Sequence, residues 1–294
     1  MLVFLTGATG FIGSRIVPEL QAAGHQVLGL TRSDAGAAAL KAAGVAVCRG
    51  TLEDPASIAA GAARADAVIH TAFDHDFSRF VANCEKDVRV ITALGQALKG
   101  SRRPLIITSG TGMGNAGKGE PATEDVFNAD DPNPRKASEV AGNKLLDAGL
   151  DVRVIRLPQV HDRFRQGLIS PYIDIARVKG AAAYVGEGNN CWPAAHVLDV
   201  AKLYGRVLDK GQQGARYHAV AEEGIASRQI AEVVARGLGI AAVSITPEEA
   251  QPYFGWFAMF AGIDLRASGR WTQQQMGWRP TGAGLIEDLS RMKY

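Results

Sequence analysis

Three glycines near the start of the chain have a spacing that can bind phosphate. Gly7, Gly10 and Gly13 follow the apolar run Leu2–Leu5 in the segment Thr6-Gly7-Ala8-Thr9-Gly10-Phe11-Ile12-Gly13. At a strand-to-helix turn, such glycines let the backbone approach a pyrophosphate, and the helix N-terminus offers it unpaired N–H groups. We therefore predict that this turn binds a dinucleotide through Gly7, Thr9, Gly10, Phe11, Ile12 and Gly13.

The end of the predicted second strand indicates which dinucleotide is bound. Proteins that use NAD usually carry an Asp or Glu here, which accepts a hydrogen bond from the adenosine ribose. This chain reads Gly29-Leu30-Thr31-Arg32-Ser33, and its first acid is Asp34. The Arg32 guanidinium could pair with a 2′-phosphate and the Ser33 hydroxyl could add a hydrogen bond, although an Arg in a solvated loop would look the same. The sequence favours NADP(H) over NAD.

Further candidates follow predicted strands on the side where ligands bind in open α/β sheets. Ser109 or Thr111 could hydrogen-bond a substrate carbonyl, or the two hydroxyls could cap a loop. His75 and His161 could each donate a proton near neutral pH, or could be ordinary polar residues. His75 lies in the triplet Asp74-His75-Asp76. Three adjacent loop residues rarely all reach one ion, so we expect no metal site.

The elements that must position these residues alternate between short apolar runs and helical patterns. We predict strands at Leu2–Leu5, Val27–Leu30, Val45–Val47, Ala67–His70, Leu105–Ile107 and Val152–Leu157. Continuous apolar strands separated by helices indicate a parallel sheet covered on both faces, so the fold class is a Rossmann-type, doubly wound α/β sheet. Later in the chain we predict a helix at Pro171–Lys179, a strand at Ala181–Val185, an extended piece leading into a helix over Trp192–Leu208, and a strand at Arg216–Val220.

A change of rhythm after Pro158 predicts a second, smaller lobe. We assign residues 1–165 and 192–222 to a Rossmann domain that binds NADP. Residues 166–191 and 223–294 form an interwoven C-terminal lobe that binds the substrate. The aromatic cluster from Tyr253 to Phe260 is assigned to the core of this lobe, and part of it could wall an apolar substrate pocket.

Composition excludes several classes of protein. The 294 residues carry a formal net charge of +2 with no basic stripe, so we expect no nucleic-acid partner. The cysteines Cys48, Cys84 and Cys191 are too far apart to suggest a disulfide framework or structural zinc. No run is long and apolar enough to cross a bilayer, and the N-terminus reads as a strand and not as a signal peptide. We therefore expect a cytoplasmic protein with no membrane partner.

Several segments resemble the extended and atypical short-chain dehydrogenases/reductases of the NAD-dependent epimerase/dehydratase superfamily. Beyond the glycine turn, the similar segments are Gly50-Thr51-Leu52-Glu53-Asp54, Ala67–Ala72, Ile106–Thr111, Arg156-Leu157-Pro158-Gln159-Val160, Trp192–Ala201 and Met276-Gly277-Trp278-Arg279-Pro280. The resemblance implies further cofactor contacts beside the adenine and along the nicotinamide half, from Gly50, Thr51, Leu52, Thr71, Ala72, Phe73, Leu157 and Pro158.

The chain departs from this family at the catalytic pair. Active members carry Tyr-x-x-x-Lys on the helix before the sixth strand, where the Lys lowers the pKa of the Tyr and the Tyr protonates the substrate oxygen. This sequence has no Tyr-x-x-x-Lys, and alignment on Ser138 places Arg135 at the Tyr position and Glu139 at the Lys position. Asp87 matches the family's Asn, and Gly110 could take the position of the usual hydroxyl. The resemblance implies the fold and the cofactor, but not the proton relay.

The substituted residues have several possible roles. Arg135 could stabilise a developing alkoxide or anchor the cofactor ribose or the substrate, but a guanidinium cannot act as a general acid at neutral pH. It could instead pair with Glu139, four residues along the helix. Asp87 and Glu139 could relay protons or lie on helical surfaces, and for Glu139 we favour the surface position.

Three functions fit these observations. The preferred one is an NADP(H)-dependent reductase or dehydrogenase that moves a hydride to or from a small carbonyl or hydroxyl substrate. The loss of Tyr and Lys would also suit a non-catalytic NADP(H)-binding redox sensor. A nucleotide-sugar epimerase or dehydratase is the third, although these enzymes usually need the intact pair. By analogy with the family, helices around Phe77–Leu98 and Arg135–Leu146 could form a four-helix interface in a homodimer.

Overall fold

The computed structural model describes residues 1–117 and 119–294. Its strands are β1 (Leu2–Thr6), β2 (Gln26–Thr31), β3 (Ala46–Arg49), β4 (Ala67–His70), β5 (Leu105–Gly110), β6 (Val152–Leu157), β7 (Gln159–His161), β8 (Ala181–Val185), β9 (Cys191–His196), β10 (Arg216–His218), β11 (Glu222–Ala226) and β12 (Ala241–Ile245). Its helices are α1 (Gly13–Ala22), α2 (Asp34–Ala42), α3 (Pro55–Ala63), α4 (Phe80–Leu98), α5 (Lys136–Asp147), α6 (Ile169–Lys179), α7 (Val197–Lys210), α8 (Ser227–Leu238), α9 (Pro247–Phe254), α10 (Ala258–Ala261), α11 (Arg270–Met276) and α12 (Leu285–Arg291).

The centre of the fold is a seven-stranded sheet with the order β10-β6-β5-β4-β1-β2-β3. Each neighbouring pair of strands in it is parallel. Strand order reverses beside β1, which places the crevice between β1 and β4 at the carboxyl ends of the strands. The predicted Rossmann-type fold class is therefore confirmed.

Alternation along β1 shows how the two faces of the sheet are covered. Val3 and Leu5 pack in one cluster with residues of α1 and α7. Phe4 points to the opposite face and packs in another cluster with residues of α3, α4 and α5. Successive side chains of a strand point to opposite faces, so an uninterrupted apolar run is what a sheet covered on both sides requires.

A second group of elements packs around its own core. β7, β9 and β11 form a three-stranded sheet, and β8 pairs with β12. Phe254 and Phe257, from the predicted aromatic cluster, are buried in this core together with residues of α6 and α8. We propose that the parts of this group within residues 166–191 and 223–294 form the substrate-binding lobe, while β7 and most of β9 fall within the boundaries predicted above for the Rossmann domain.

The predicted strands differ from the observed ones mainly at their ends. β5 extends to Gly110 instead of ending at Ile107, because it pairs with β6 along its whole length. β10 ends at His218 instead of Val220, where its pairing with β6 stops at Arg156. The extension of β5 matters for function, since it places Ser109 and Gly110 on a rigid strand.

Candidate functional site

The glycine turn has the geometry that a phosphate-binding loop needs. Gly7 has a φ of 72°, and a Cβ there would lie 2.7 Å from Thr71 Oγ1. A Cβ on Gly13 would overlap the carbonyl oxygen of Gly7, so this glycine permits close packing of α1 on β1. The side chain of Thr9 and the backbone of Gly10 are exposed, and Gly10 N donates to Gly7 O at 2.8 Å. The residues present therefore fit a dinucleotide pyrophosphate.

Two arginines flank the start of α2 beyond the end of β2. Arg32 is exposed, and Arg49 lies at the end of β3, paired in register with Thr31. Ser33 caps α2 by accepting a hydrogen bond from Gly36 N at 3.1 Å, and its own hydroxyl hydrogen remains available for donation. Arg49 forms an ion pair with the exposed Asp34. Sequence reasoning identified Arg32 and Ser33 but missed Arg49, because only the strand register brings it to this edge.

The other predicted cofactor residues lie at the carboxyl ends of neighbouring strands. Gly50, Thr51 and Leu52 follow β3, and Gly50 N donates to Thr31 O at 3.2 Å. Thr71 and Ala72 follow β4 and are tied to the end of β1, since Thr71 Oγ1 donates to Thr6 O at 2.8 Å. Leu157 pairs with Gly110 at the ends of β6 and β5, and Pro158 follows it. Their shared edge is the one that would face a bound dinucleotide, and their contacts with it stay a prediction.

A loop after β7 lies against the glycine turn, and no motif predicted it. The Arg165 guanidinium lies 5.4 Å from the centre of the Phe11 ring. Asp162 accepts hydrogen bonds from the backbone N–H of Phe164 and of Arg165, both at 2.8 Å. This loop therefore presents Arg165 beside the start of α1.

A buried polar network begins next to the glycine turn and extends to α4. His70 Nδ1 lies 2.7 Å from Thr6 Oγ1, and His70 Nε2 lies 2.8 Å from Asp87 Oδ1. Both His70 and Asp87 are buried. One oxygen of Asp87 is therefore bound to His70 at the end of β4, and the other oxygen can accept hydrogen bonds from residues at the start of α5.

Arg135 completes this network from the residue just before α5. Its Nη1 donates to Asp87 Oδ2 at 2.7 Å, and its Nη2 donates to the backbone oxygen of Thr108 at 2.8 Å. Ser138 Oγ donates to the same Asp87 oxygen at 2.5 Å. Burial alone would raise the pKa of Asp87, but the charge of Arg135 and the hydrogen bonds from His70 and Ser138 outweigh it and hold that pKa well below its usual range. Arg135 thus pairs with Asp87 and not with Glu139.

The expectation that Glu139 lies on the surface is wrong. Its side chain is fully buried, and both of its oxygens accept hydrogen bonds from Arg156, at 2.8 Å each. Arg216 Nε adds a third at 2.9 Å. Burial opposes ionisation, but the two guanidinium groups lower the pKa of Glu139 below its ordinary value. α5 packs against β5 and β6, so the face that carries Glu139 meets the sheet instead of solvent.

The candidate hydroxyls Ser109 and Thr111 and their neighbour Thr108 have different surroundings at the carboxyl end of β5. Thr108 Oγ1 donates to His70 O and lies 2.7 Å from the buried Tyr204 hydroxyl. Ser109 Oγ is buried, and its interaction with the Glu139 carboxylate helps to lower the pKa of that carboxyl; it makes no other hydrogen bond to the described residues. Thr111 is nearly buried at the start of a 3-10 turn. A Cβ on Gly110 would meet no described atom within 4 Å, so the expected hydroxyl position is open space.

The two candidate histidines occupy different environments. His75 is exposed on the loop after β4, where its ring packs edge-on against Phe73 at 5.4 Å. Partial loss of hydration, followed by the positive charge of Arg135, lowers the pKa of His75. His161 is buried, and its Nδ1 lies 2.7 Å from Asp288 on α12. His161 is therefore tied to α12 through Asp288.

Aromatic side chains connect Arg135 to the second group of elements. The Arg135 guanidinium lies 4.2 Å from the centre of the Phe73 ring. Further along the same loop, Phe77 stacks on Trp256, with ring centres 4.8 Å apart and planes 3° apart. Phe260 packs edge-on against Phe77 at 5.7 Å. The polar ends of β4 and β5 thus lie next to an aromatic wall.

Sheet order, glycine turn and crevice define a dinucleotide-binding α/β protein of the Rossmann type. The chain belongs to the NAD-dependent epimerase/dehydratase family, whose model matches residues 3–221. It is 44% identical over 295 residues to an uncharacterized protein of Schizosaccharomyces pombe, and the match covers 100% of both chains. It is also 38% identical over 292 residues to an uncharacterized protein of Saccharomyces cerevisiae, covering 98% of each. The resemblance to atypical short-chain dehydrogenases/reductases is thereby confirmed.

Solved structures with the same fold include enzymes crystallised with NAD. A dTDP-glucose 4,6-dehydratase from Streptomyces venezuelae, with NAD bound, has a TM-score of 0.78 at 20% identity, covering 100% of this chain and 96% of that one. A UDP-glucose 4-epimerase from Thermus thermophilus, also with NAD, has a TM-score of 0.73 at 22% identity, covering 100% and 98%. Both show the fold. Within the part of this chain that the structure describes, no helix is long and apolar enough to cross a membrane.

Proposed function

We propose that the protein is an NADP(H)-dependent oxidoreductase that transfers a hydride to or from a small carbonyl or hydroxyl substrate. The observation that carries this proposal is the set of residues at the carboxyl edge of the parallel sheet. It runs from two arginines at the end of β2 and β3, past the glycine turn, to the polar residues around Arg135. Such an edge suits an extended dinucleotide whose reactive ring ends beside Arg135, Ser109 and Thr111.

The preference for NADP rests on the charges at the adenosine end. Arg32 immediately precedes Ser33, the N-cap of α2, and Arg49 reaches Asp34 in the first turn of this helix, whose backbone N–H groups also favour an anion. The acid nearest to this position, Asp34, already pairs with Arg49, so a cation compensates its negative charge. A 2′-phosphate would instead meet two guanidinium groups, which bind phosphate well.

At the nicotinamide end, the chain's own residues would bind and orient the substrate. When bound, the reduced nicotinamide supplies the hydride. Arg135 is held by Asp87 and by Thr108 O, and its remaining N–H groups could hydrogen-bond a substrate oxygen. Ser109 or Thr111 could add a hydroxyl contact, and water would deliver a proton to the cleft, because the lowered pKa of His75 leaves its ring neutral at neutral pH.

The cofactor part is tested by measuring dissociation constants for NADPH and NADH. The Arg32→Ala variant should bind NADPH about tenfold more weakly, a loss of about 1.4 kcal/mol, with NADH affinity unchanged. The matched control is Arg228→Ala, which removes a cation from α8 that pairs with Glu232. Equal effects of Arg32→Ala on both nucleotides would contradict a 2′-phosphate contact. The oxidoreductase part is tested by following NADPH absorbance with ketones, aldehydes, quinones and imines.

A non-catalytic NADP(H)-binding redox sensor is the second candidate. The observation in its favour is that both positions of the family's Tyr and Lys hold residues engaged in ion pairs, Arg135 with Asp87 and Glu139 with Arg156. Tight NADPH binding without oxidation by any substrate of the panel would favour this function. A nucleotide-sugar epimerase or dehydratase is less well supported, because the proton-relaying pair is replaced.

We also propose a homodimer, by analogy with the four-helix interface of the family. A groove of about 520 Å³ lies between α4 and α5, and its apolar lining includes Val81, Val88 and Val140. Val88→Arg should shift the mass measured by light scattering from that of a dimer to that of a monomer. A wild-type protein that is monomeric at all concentrations tested would contradict this proposal.

A further inference from the structure

We propose that the substrate is a planar conjugated carbonyl compound, a quinone or an α,β-unsaturated ketone. Its hydride adduct would be a delocalised oxyanion held beside Arg135. This proposal rests on the proposed oxidoreductase function and narrows it to one class of acceptor. Two independent observations support it. First, Arg135, a fixed cation, stands at the position of the family's proton-donating Tyr. Second, the wall next to Arg135 is made of flat aromatic rings.

The first observation is the state of Arg135. A guanidinium keeps its proton at any pH where the protein is folded, so it can stabilise an oxyanion but cannot protonate one. Its position is fixed by hydrogen bonds to Asp87, Ser138 and Thr108 O. Its side chain keeps 16% of its surface exposed, so part of the guanidinium group still reaches the cleft.

The neighbouring groups do not replace the missing acid. Glu139 is held ionised between Arg156 and Arg216. Tyr204 is fully buried and hydrogen-bonded to Thr108, and burial raises the pKa of its hydroxyl. His75 has a lowered pKa, so at neutral pH its ring carries no proton that it could readily give up. Water is therefore the proton source that this cleft offers.

The chemistry of the hydride acceptor determines whether water is a sufficient proton source. Hydride addition to an isolated ketone creates an alkoxide, which is so basic that the transfer needs a proton donor at the same moment. In an α,β-unsaturated ketone, the hydride forms a C–H bond at the β-carbon while the C=C π pair moves to give an enolate. In a quinone, the product is a phenolate, whose conjugate acid has a pKa of about 10. NADPH becomes NADP⁺, and water then protonates the anion and leaves hydroxide.

The second observation is the shape and chemistry of the wall next to Arg135. Phe73 covers the guanidinium, and the rings of Phe77 and Trp256 stack face to face with nearly parallel planes. Trp256 is 38% exposed, so part of its surface remains accessible. Flat rings bind other flat π-systems in offset-stacked arrangements, worth about 0.5–1.5 kcal/mol beyond the area that they bury. A planar acceptor can therefore lie on this wall with its oxygen toward Arg135.

The test uses pairs of acceptors that differ in conjugation. NADPH oxidation is followed with 2-cyclohexenone against cyclohexanone, and with 1,4-naphthoquinone against 2-tetralone, after subtraction of the rate without protein. We expect kcat/KM to be at least about 100-fold higher for the conjugated member of each pair, or about 2.7 kcal/mol. Comparable rates within each pair would overturn the substrate class while leaving the oxidoreductase function in place. No oxidation of any of the four would overturn both.

Two variants separate this proposal from a merely structural role of the same residues. Arg135→Gln with Asp87→Asn removes both charges of the ion pair together, so that neither is left buried alone. It should lower kcat for 1,4-naphthoquinone at least about tenfold, while NADPH affinity and thermal stability change little. Trp256→Ala should raise the KM for 1,4-naphthoquinone and leave kcat nearly unchanged. An unaltered kcat in the double variant, with the fold intact, would overturn the role of Arg135.

Discussion

Replacing Glu139 by Gln should destabilise the protein by about 3 kcal/mol, the lower end of the range for breaking a buried ion pair. Glu139 and Arg156 are both fully buried, and Arg156 donates to both oxygens of the carboxylate at 2.8 Å. Glutamine keeps one acceptor but turns an N–H₂ group toward the guanidinium, so the charge of Arg156 remains buried without its partner. The loss combines one charge-assisted hydrogen bond with an uncompensated cation.

The assay is urea unfolding, followed by far-UV circular dichroism and by tryptophan fluorescence. The two signals must coincide before a single free energy of unfolding is assigned. With a denaturant slope of about 3 kcal/mol per molar urea, the midpoint should fall by about 1 M. The matched control is Glu287→Gln, because Glu287 pairs with Arg291 on the solvent-facing side of α12, where both side chains are about half exposed or more. This control should change the free energy of unfolding by less than about 0.5 kcal/mol.

The pH dependence of the same variant follows from the direction of the pKa shift. The pKa of Glu139 is lowered in the folded state, so its ionised form contributes stability above the unfolded pKa of about 4.3. That contribution is lost as the pH falls through the lowered, folded-state pKa. The stability difference between wild type and Glu139→Gln should therefore be complete at pH 7 and should shrink below about pH 4. A difference below about 1 kcal/mol at pH 7 would refute this reasoning, because the pair would then be replaceable by a neutral amide.

Two further predictions concern glycines. Gly13→Ala should lower the free energy of unfolding by about 1–3 kcal/mol and weaken NADPH binding, because its Cβ would overlap Gly7 O. The control is Gly205→Ala in α7, where a Cβ meets no described atom within 4 Å. This control should be neutral or slightly stabilising. Equal denaturation midpoints for the two variants would contradict the packing argument. Gly110→Ser should leave the melting temperature within about 2 °C of wild type, because its Cβ enters open space. Gly114→Ser should lower it clearly, since a Cβ there would lie 2.7 Å from Arg156 Nη1 and closer still to Thr123 O.

Much of the fold was predictable because its signals are local. The run Leu2–Leu5, followed by Gly7, Gly10 and Gly13, specifies a strand, a turn and a helix within the first part of the chain. The ends of elements were less predictable, as β5 shows, because strand length depends on the partner strand. Its extension to Gly110 follows from pairing with β6, which lies more than 40 residues further along the chain.

Local sequence patterns predicted the parallel sheet, the glycine turn and the replacement of Tyr and Lys by Arg135 and Glu139. The contacts that these replacements make depend on how distant parts of the chain pack together. Arg135 and its partner Asp87 are 48 residues apart, and they meet because α4 and α5 pack side by side. Glu139 was expected on a surface because its own helix suggests nothing else. The packing of α5 on the sheet buries it against Arg156, and a buried carboxylate is stable there only because cations from β6 and β10 reach it.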